Sequence, residues 1–443
     1  MRSPVRLPVA CGVDVGSTNS KVVAVDPRGH VVARASRPTP RDAHGLSIDV
    51  GALLADVDAM VLEVCGDRYE VHALCGAGIG EDGLLVDETL APLTLALAWF
   101  DPRRQGVFAA LRPSLYDDET FDVETDPARA LVGWAWARGQ VPAAQREPSS
   151  WVAVADLAAV HWTRRTFISD TLASRTGAWR SGDRSWDTGR VKLTLGSEAL
   201  LPPVVRAGDV VGEADSPVLR AAGVLGADAV VVAGGHDHPV GGWGVQRLVP
   251  DAVIDSMGTA EVVVAQSPRR EPAGHGEVET APGIRSDGST LLRVEELARN
   301  VAWASQNPAV ARAIQEILSG ALAPLPVLGD GFFLPGRRGG GRPAYAPDAP
   351  RDPRARASAV LGALALRGRE AVDAVRARVP GQTELRLVGG WARSPGWLTI
   401  KSQVHGFPVV PIIEPEVTAV SAALLAATAR GWSPDPGHAI AGA

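Results

Sequence analysis

The sequence predicts an α/β protein built from a duplicated unit, and three observations carry that expectation. A chain of 443 residues exceeds what one ordinary core serves, so two domains of about 200 residues each are expected. The run "GVDVGSTNSKVVAVD" reads as two valine-rich strands joined by a turn of glycine and hydroxylated residues. The run "DAVIDSMGTAEVVVAQ", residues 251–266, repeats that strand–turn–strand device about 240 residues later. The join falls near 245–250, giving expected domains 1–247 and 248–443.

The elements follow in order. Residues 9–15 and 21–26 are the two opening strands, and "VVARAS" is a third, after the turn "DPRGH". Residues 50–65 carry apolar side chains at helical spacing (Leu53, Leu54, Val57, Val61, Leu62), and "YEVHALCGAG" returns as a buried strand. Segment 151–164 is apolar at helical intervals. Residues 227–235, "ADAVVVAGG", form a buried strand by their valine run. The chain ends with the strand "ELRLVGG", then a helix opened by Ser394 with Pro395 in its first turn. A closing helix is stopped by Gly431. Segment 335–355 is rich in Pro, Gly and Arg without periodicity, and is expected to be a surface loop.

Composition narrows the function classes. Apolar residues make up 46 % and charged residues 21 %, the profile of a globular enzyme. The net charge of −6, with both signs mixed along the chain, argues against a broad nucleic-acid surface. Cys11, Cys65 and Cys75 form no C-x-x-C pair and suggest reduced thiols. The first twelve residues lack the apolar stretch of a signal peptide, and no run approaches ~18 apolar residues. A cytoplasmic protein with no membrane partner is expected, and a homodimer is compatible.

Chemistry concentrates in four places. In "DVGSTNSK", Gly16 allows close backbone approach to a ligand. The amides and hydroxyls of Ser17, Thr18 and Asn19 can donate to phosphate oxygens, and Lys21 adds positive charge. Asp14 is placed to hold Mg²⁺ through water. "DSMGTAE" repeats the device with Gly258 and Thr259. Either turn alone is equally a polar hairpin. Two of them suit a nucleoside triphosphate that takes phosphate donors from both domains. In "LVGGWARSPGWLTIKSQVHG", Gly389 and Gly390 expose backbone on which adenine and ribose can lie, although short Gly turns also serve ordinary strand–helix connections.

The fourth place is "VVVAGGHDHPVGGWGV", where Asp237 stands between His236 and His238. In an extended segment the two histidines point to one side and Asp237 to the other, which argues against a shared metal. No further His cluster supplies ligands, so a base or a polar turn is expected in preference to a zinc site.

In this order the motifs resemble the FGGY family of carbohydrate kinases, within the actin-like/sugar-kinase ATPase superfamily. The similarity covers roughly residues 10–430, and its carriers include "GAGIGEDGLLVD…LAWFDPRR" as well as the segments above. The resemblance implies two ribonuclease-H-like α/β domains flanking a cleft and an ATP- and Mg²⁺-dependent kinase of a small sugar, polyol or cyclitol. It implies Asp237 as catalytic base, and an adenosine site at Gly389, Gly390, Trp391 and Ser394. It places Glu81, Asp82, Trp99 and Asp101 on the acceptor side, with His236 and His238 near the acceptor or orienting the turn. A solvated turn is the rival reading for Glu81 and Asp82.

The chain also departs from the family pattern. Glycerol kinases carry Arg-Glu where this chain has Gly80-Glu81. Trp391 replaces a glycine of the adenosine motif, and Ser421 replaces another in the last helix. The rival functions are a kinase of a secondary-metabolite cyclitol or aminosugar, a sugar-sensing pseudokinase, and an ATPase of the actin superfamily without a sugar acceptor.

Overall fold

The computed structural model describes residues 6–116, 118–141, 147–273, 277–326, 331–337 and 341–441. The protein is mixed α/β with two six-stranded sheets. It divides into two compact units. The first comprises Met1–Leu248, Gln266–Thr290 and Glu416–Ala443, and the second Val249–Ala265 and Leu291–Pro415. The first long stretch thus ends beside the expected join, but the chain returns to the first unit twice. The second return has a packing cause. The closing helix Val417–Ala429 lies so close on the first strand that a Cβ at Gly12 would sit 2.0 Å from the Ala419 carbonyl. Ser421, buried in that helix, fills the space a side chain at Gly244 would need.

In the first unit, β1 (Leu7–Val15), β2 (Asn19–Val25) and β3 (Val31–Pro38) form an antiparallel meander. Helix α1 (Val50–Cys65) is capped by Asp49, whose carboxylate accepts from the Ala52 N–H at 3.0 Å. Its buried stripe of Leu53, Val57, Met60, Val61 and Val64 is what the apolar spacing predicts. The chain then returns as β4 (Tyr69–Gly78), parallel to β1. β5 (Val210–Glu213) and β6 (Leu225–His236) complete the order β5-β6-β4-β1-β2-β3, with β6 parallel to β4. Helix α2 (Asp237–Leu248) follows β6 directly. The site described below lies at this strand end.

Segment 151–164 corrects the helical reading. It opens as a strand, Ser150–Ala153, and becomes helical only at Leu157–Thr163. Trp151, Val152 and Ala153 are all buried, and a strand buried on both faces loses the alternation that separates it from a helix.

In the second unit, β7 (Ala252–Met257) pairs antiparallel with β8 (Ala260–Ser267) and parallel with β9 (Glu384–Val388). β9 pairs in turn with β10 (Val410–Pro411). The 26-residue α3 (Pro353–Arg378) was not foreseen. It opens at Asp352, which accepts from the Ala355 N–H at 2.8 Å, and its many arginines and small residues blur the apolar stripe. Helix α4 (Pro395–His405) is capped by Ser394, as the sequence indicates.

Segment 335–355 is less bare than expected. Ala344–Tyr345 pairs with Phe333–Leu334, and Tyr345 packs against Trp303 and Phe333 while Arg356 covers its ring. Arg338, Gly339 and Gly340 lie outside the described residues. The three cysteines are unpaired and buried. No described helix is long and apolar enough to cross a membrane.

Candidate active site

The β1–β2 turn is held by its carbonyls. Gly16 O accepts from the Thr39 hydroxyl at 2.7 Å, Ser17 O from the Arg41 guanidinium at 2.8 Å, and Thr18 O from the Thr39 N–H at 2.9 Å. Gly16 N–H closes the turn on Asn19 O at 3.1 Å. Thr18 and Asn19 are exposed, so their donors face solvent. Trp99 Nε1 donates to the Ser17 hydroxyl at 3.2 Å, which joins an expected acceptor-side residue to the turn.

Asp14 and Lys21 face each other across the hairpin register and pair at 3.2 Å. Lys21 also reaches Glu416 at 3.1 Å. Burial pulls the Lys21 ammonium down, but the two carboxylates outweigh it and hold it protonated. The lysine is therefore clamped by acids at the base of the turn. Burial raises Asp14, against the pull of Lys21, and the Asp237 charge adds to the rise. Asp14 Oδ1 is buried with no hydrogen-bond partner among the described residues. An inward-facing carboxylate oxygen without a partner fits a site for a hydrated divalent cation.

The strand that leads to Asp237 runs one residue past the expected end at Gly235. β6 stops at His236, and Asp237 is the first residue of α2. The expected opposition of histidines and aspartate fails for that reason, because side chains alternate only while the chain stays extended. Gly235 has φ +131, and a Cβ there would lie 2.1 Å from the Thr171 hydroxyl, so only glycine makes this bend. The His238 N–H then donates to Asp237 Oδ1 at 2.7 Å. Nε2 of His236 lies 3.2 Å and Nε2 of His238 3.7 Å from that same oxygen. Burial raises the Asp237 carboxyl above its usual range, against the opposing pull of His238. Burial, helped by Arg175, holds His236 well below its usual range and therefore neutral near pH 7.

The acceptor-side segment packs on this cluster. A Cβ at Gly80 would sit 2.7 Å from the His236 ring, so the imidazole occupies the space an arginine side chain would need there. Glu81 and Asp82 are buried, not solvated. Glu81 accepts from Arg175 at 2.7 and 3.0 Å, and Arg175 and Arg129 both reach Glu279. Two arginines and two glutamates thus form one buried network of near-balanced charge. Neither oxygen of Asp82 has a hydrogen-bond partner among the described residues, and Arg104 stands 3.7 Å away. Burial lifts the Asp82 carboxyl to about 7.

Asp101 is engaged elsewhere. It accepts from the Arg103 N–H at 2.8 Å and from its guanidinium at 2.7 Å, at the start of helix Arg103–Leu111. Arg104 spends its guanidinium on five backbone carbonyls, those of Glu81, Leu97, Ala98, Ala128 and Arg129.

The second unit carries the other turn. Gly258 and Thr259 are exposed, and Thr259 O accepts from the Ala298 N–H at 3.0 Å. Beneath them Lys401 pairs with Asp255 at 2.8 Å and with Glu261, all three fully buried. Gly389 has φ +93, and a Cβ there would strike Met257 O at 2.4 Å, which keeps this backbone bare. Gly390 is exposed. Trp391 packs edge-on against Trp397 at 5.2 Å, with part of its surface open. The Ser394 hydroxyl donates to Leu318 O at 2.6 Å while capping α4.

Sequence reading did not single out Thr39, Arg41, Arg129, Arg175, Glu279, Glu416 or Lys401. Lys401 falls within the quoted run "LVGGWARSPGWLTIKSQVHG", and Arg104 within "LAWFDPRR", but neither was given a role; the others stand in stretches without a motif.

Comparison with known proteins identifies the family. The sequence model for the FGGY family of carbohydrate kinases, N-terminal domain, matches residues 9–244. The L-fuculokinase of Salmonella typhi is 23 % identical over 451 residues, which span 95 % of this chain and 91 % of that one. The xylulose kinase of Streptomyces coelicolor is 27 % identical over 288 residues, 63 % and 59 % of the two chains. The solved xylulose kinase from Rhodospirillum rubrum has a TM-score of 0.81 at 18 % identity, with 98 % of this chain and 92 % of that one covered. The chain therefore belongs to the FGGY family of carbohydrate kinases, with the actin-like ATPase fold, and is an ATP-dependent phosphotransferase with an alcohol group as acceptor.

Proposed function

We propose that this kinase phosphorylates one hydroxyl of a small neutral sugar, polyol or cyclitol, with Asp237 as the base. The observation that carries the reading is Asp237 itself, at a strand-to-helix junction and raised by burial, beside an imidazole held neutral. The acceptor hydroxyl gives its proton to Asp237. Its oxygen bonds to the γ-phosphorus as the bond to the leaving ADP oxygen breaks. A neutral His236 leaves the base its charge. Asp14 would hold Mg²⁺, which screens phosphate charge when bound. Ser17, Thr18, Asn19, Gly258 and Thr259 serve the phosphates, and Gly389, Gly390 and Trp391 the adenosine.

The charge of the site supports a neutral acceptor over a sugar acid. Arg129 and Arg175 are already matched by Glu81 and Glu279, Arg104 stands beside Asp82, and Asp237 adds a further acidic group. A second reading, an acceptor bearing an amino group, is favoured by Asp82, whose carboxylate has Arg104 at 3.7 Å but no hydrogen-bond partner among the described residues. ADP release across polyols, aldoses, ketoses, cyclitols and aminosugars separates the two. Asp237→Asn should keep the fold and ATP binding and lower turnover at least ~10²-fold. Wild-type turnover in that variant would remove Asp237 from the mechanism.

A further inference from the structure

We propose that His236, Asp237 and His238 form a labile site for a borderline divalent cation such as Zn²⁺, distinct from the Asp14 position and inhibitory because it captures the base. One imidazole nitrogen from each histidine and one Asp237 oxygen lie within 4.8 Å of one another. Tetrahedral zinc with bonds near 2.0–2.1 Å sets its ligands about 3.3 Å apart. The observed separations of 3.2 and 3.7 Å from Asp237 Oδ1 fall close to that edge.

A second observation separates a ligand set from a hydrogen-bonded turn. Neither imidazole contact to Asp237 has hydrogen-bond geometry, and the hydrogen bond that Asp237 Oδ1 accepts here comes from the His238 backbone. Two imidazole nitrogens thus converge on a carboxylate oxygen without donating to it. The rings stand perpendicular, 5.4 Å apart, so neither shields the other's nitrogen. His238 and Asp237 are each about one-quarter exposed, which gives an ion from solvent a way in.

The same geometry sets the strength. A ligating histidine usually donates its other N–H to a partner, and loss of such partners costs 10–100-fold in affinity. His236 Nδ1 is buried with no partner among the described residues. The site is therefore weak and exchangeable, a place where zinc enters and leaves. No other group of three such ligands occurs among the described residues.

The test is calorimetric titration of the metal-free full chain with Zn²⁺, with neither ATP nor acceptor present, so that it does not depend on the kinase assignment. One equivalent should bind, and His236→Asn, His238→Asn and Asp237→Asn should each weaken it at least tenfold. His30→Ala, at an unrelated surface imidazole, should not change it, and thermal melts confirm that each variant is folded. Co²⁺ added in place of Zn²⁺ should give the visible absorption of a four-coordinate ion, lost in His238→Asn. No zinc binding, unchanged binding in the histidine variants, or binding abolished by Asp14→Asn instead would each overturn the proposal. In the working enzyme, Zn²⁺ should raise the apparent KM of the acceptor and leave that of ATP unchanged. Competition with ATP instead would place the ion at the phosphates and overturn the inhibitory part.

Discussion

The two hairpin units bury their lysine–carboxylate pairs to different depths. In the second unit Asp255 and Glu261 share Lys401, and all three side chains are sealed from solvent. Helix α3 makes room for them at Gly368, where a Cβ would fall 1.8 Å from Glu261 and 2.2 Å from Lys401. In the first unit the corresponding pair, Asp14 and Lys21, keeps 9 % and 24 % of its side-chain surface open. Asp14 Oδ1 has no hydrogen-bond partner among the described residues, as Asp255 Oδ1 has none, and elsewhere in the first unit both oxygens of Asp82 lack one, with Arg104 3.7 Å away. Such groups cost free energy unless something pairs with them. The first unit keeps its pair part-exposed, whereas the second turns the same hairpin into a charged core.

The sealed triad gives the sharpest way to break this contrast. Lys401→Met leaves two carboxylates buried without their cation, and should cost about 3–5 kcal/mol of stability. Chemical denaturation measures it. The double variant Lys401→Met/Glu261→Gln should lose less than the single one, and equal losses would mean the lysine acts by packing alone.

An acid without a hydrogen-bond partner should behave the other way. Burial raises Asp82 to about 7, so the folded protein holds a proton that the unfolded chain releases near pH 4. The folded state binds more protons across that window, and stability falls as pH rises from about 4 to 7. Asp82→Asn should flatten that part of the profile and stabilise the protein at pH 8 relative to pH 5. Arg104 keeps its five carbonyl partners in the variant. Melting temperatures at pH 5 and pH 8 decide the matter, and an undiminished slope in the variant would assign it to other groups.

The smallest effect on folding should come from Lys21→Met. Its ion pairs are part-exposed, so the expected change is only about 0.2–1 kcal/mol. The KM for ATP should still rise, because the charge beneath the turn is lost. A stability loss as large as that of Lys401→Met would erase the distinction between the two hairpins.

Much of this was legible in the chain. The bounds of α1 and β4, the hairpins at Gly16 and Gly258, and the Ser394 cap follow from local patterns: apolar period, turn chemistry and capping residues. Asp237 and Asp14 stood out because glycines and hydroxyls cluster beside them in sequence. Tertiary structure alone decided the rest. It brought the Glu81 loop onto His236, and it gave Glu81 the partner Arg175, 94 residues away. It converged His236, Asp237 and His238, because the chain changes from strand to helix within the motif and the alternation rule stops applying. It also sealed Lys401 between two acids about 140 residues distant. Local pattern fixes what many segments become, though not Ser150–Ala153 or α3. Which charges meet depends on distances through space, and sequence spacing does not contain them.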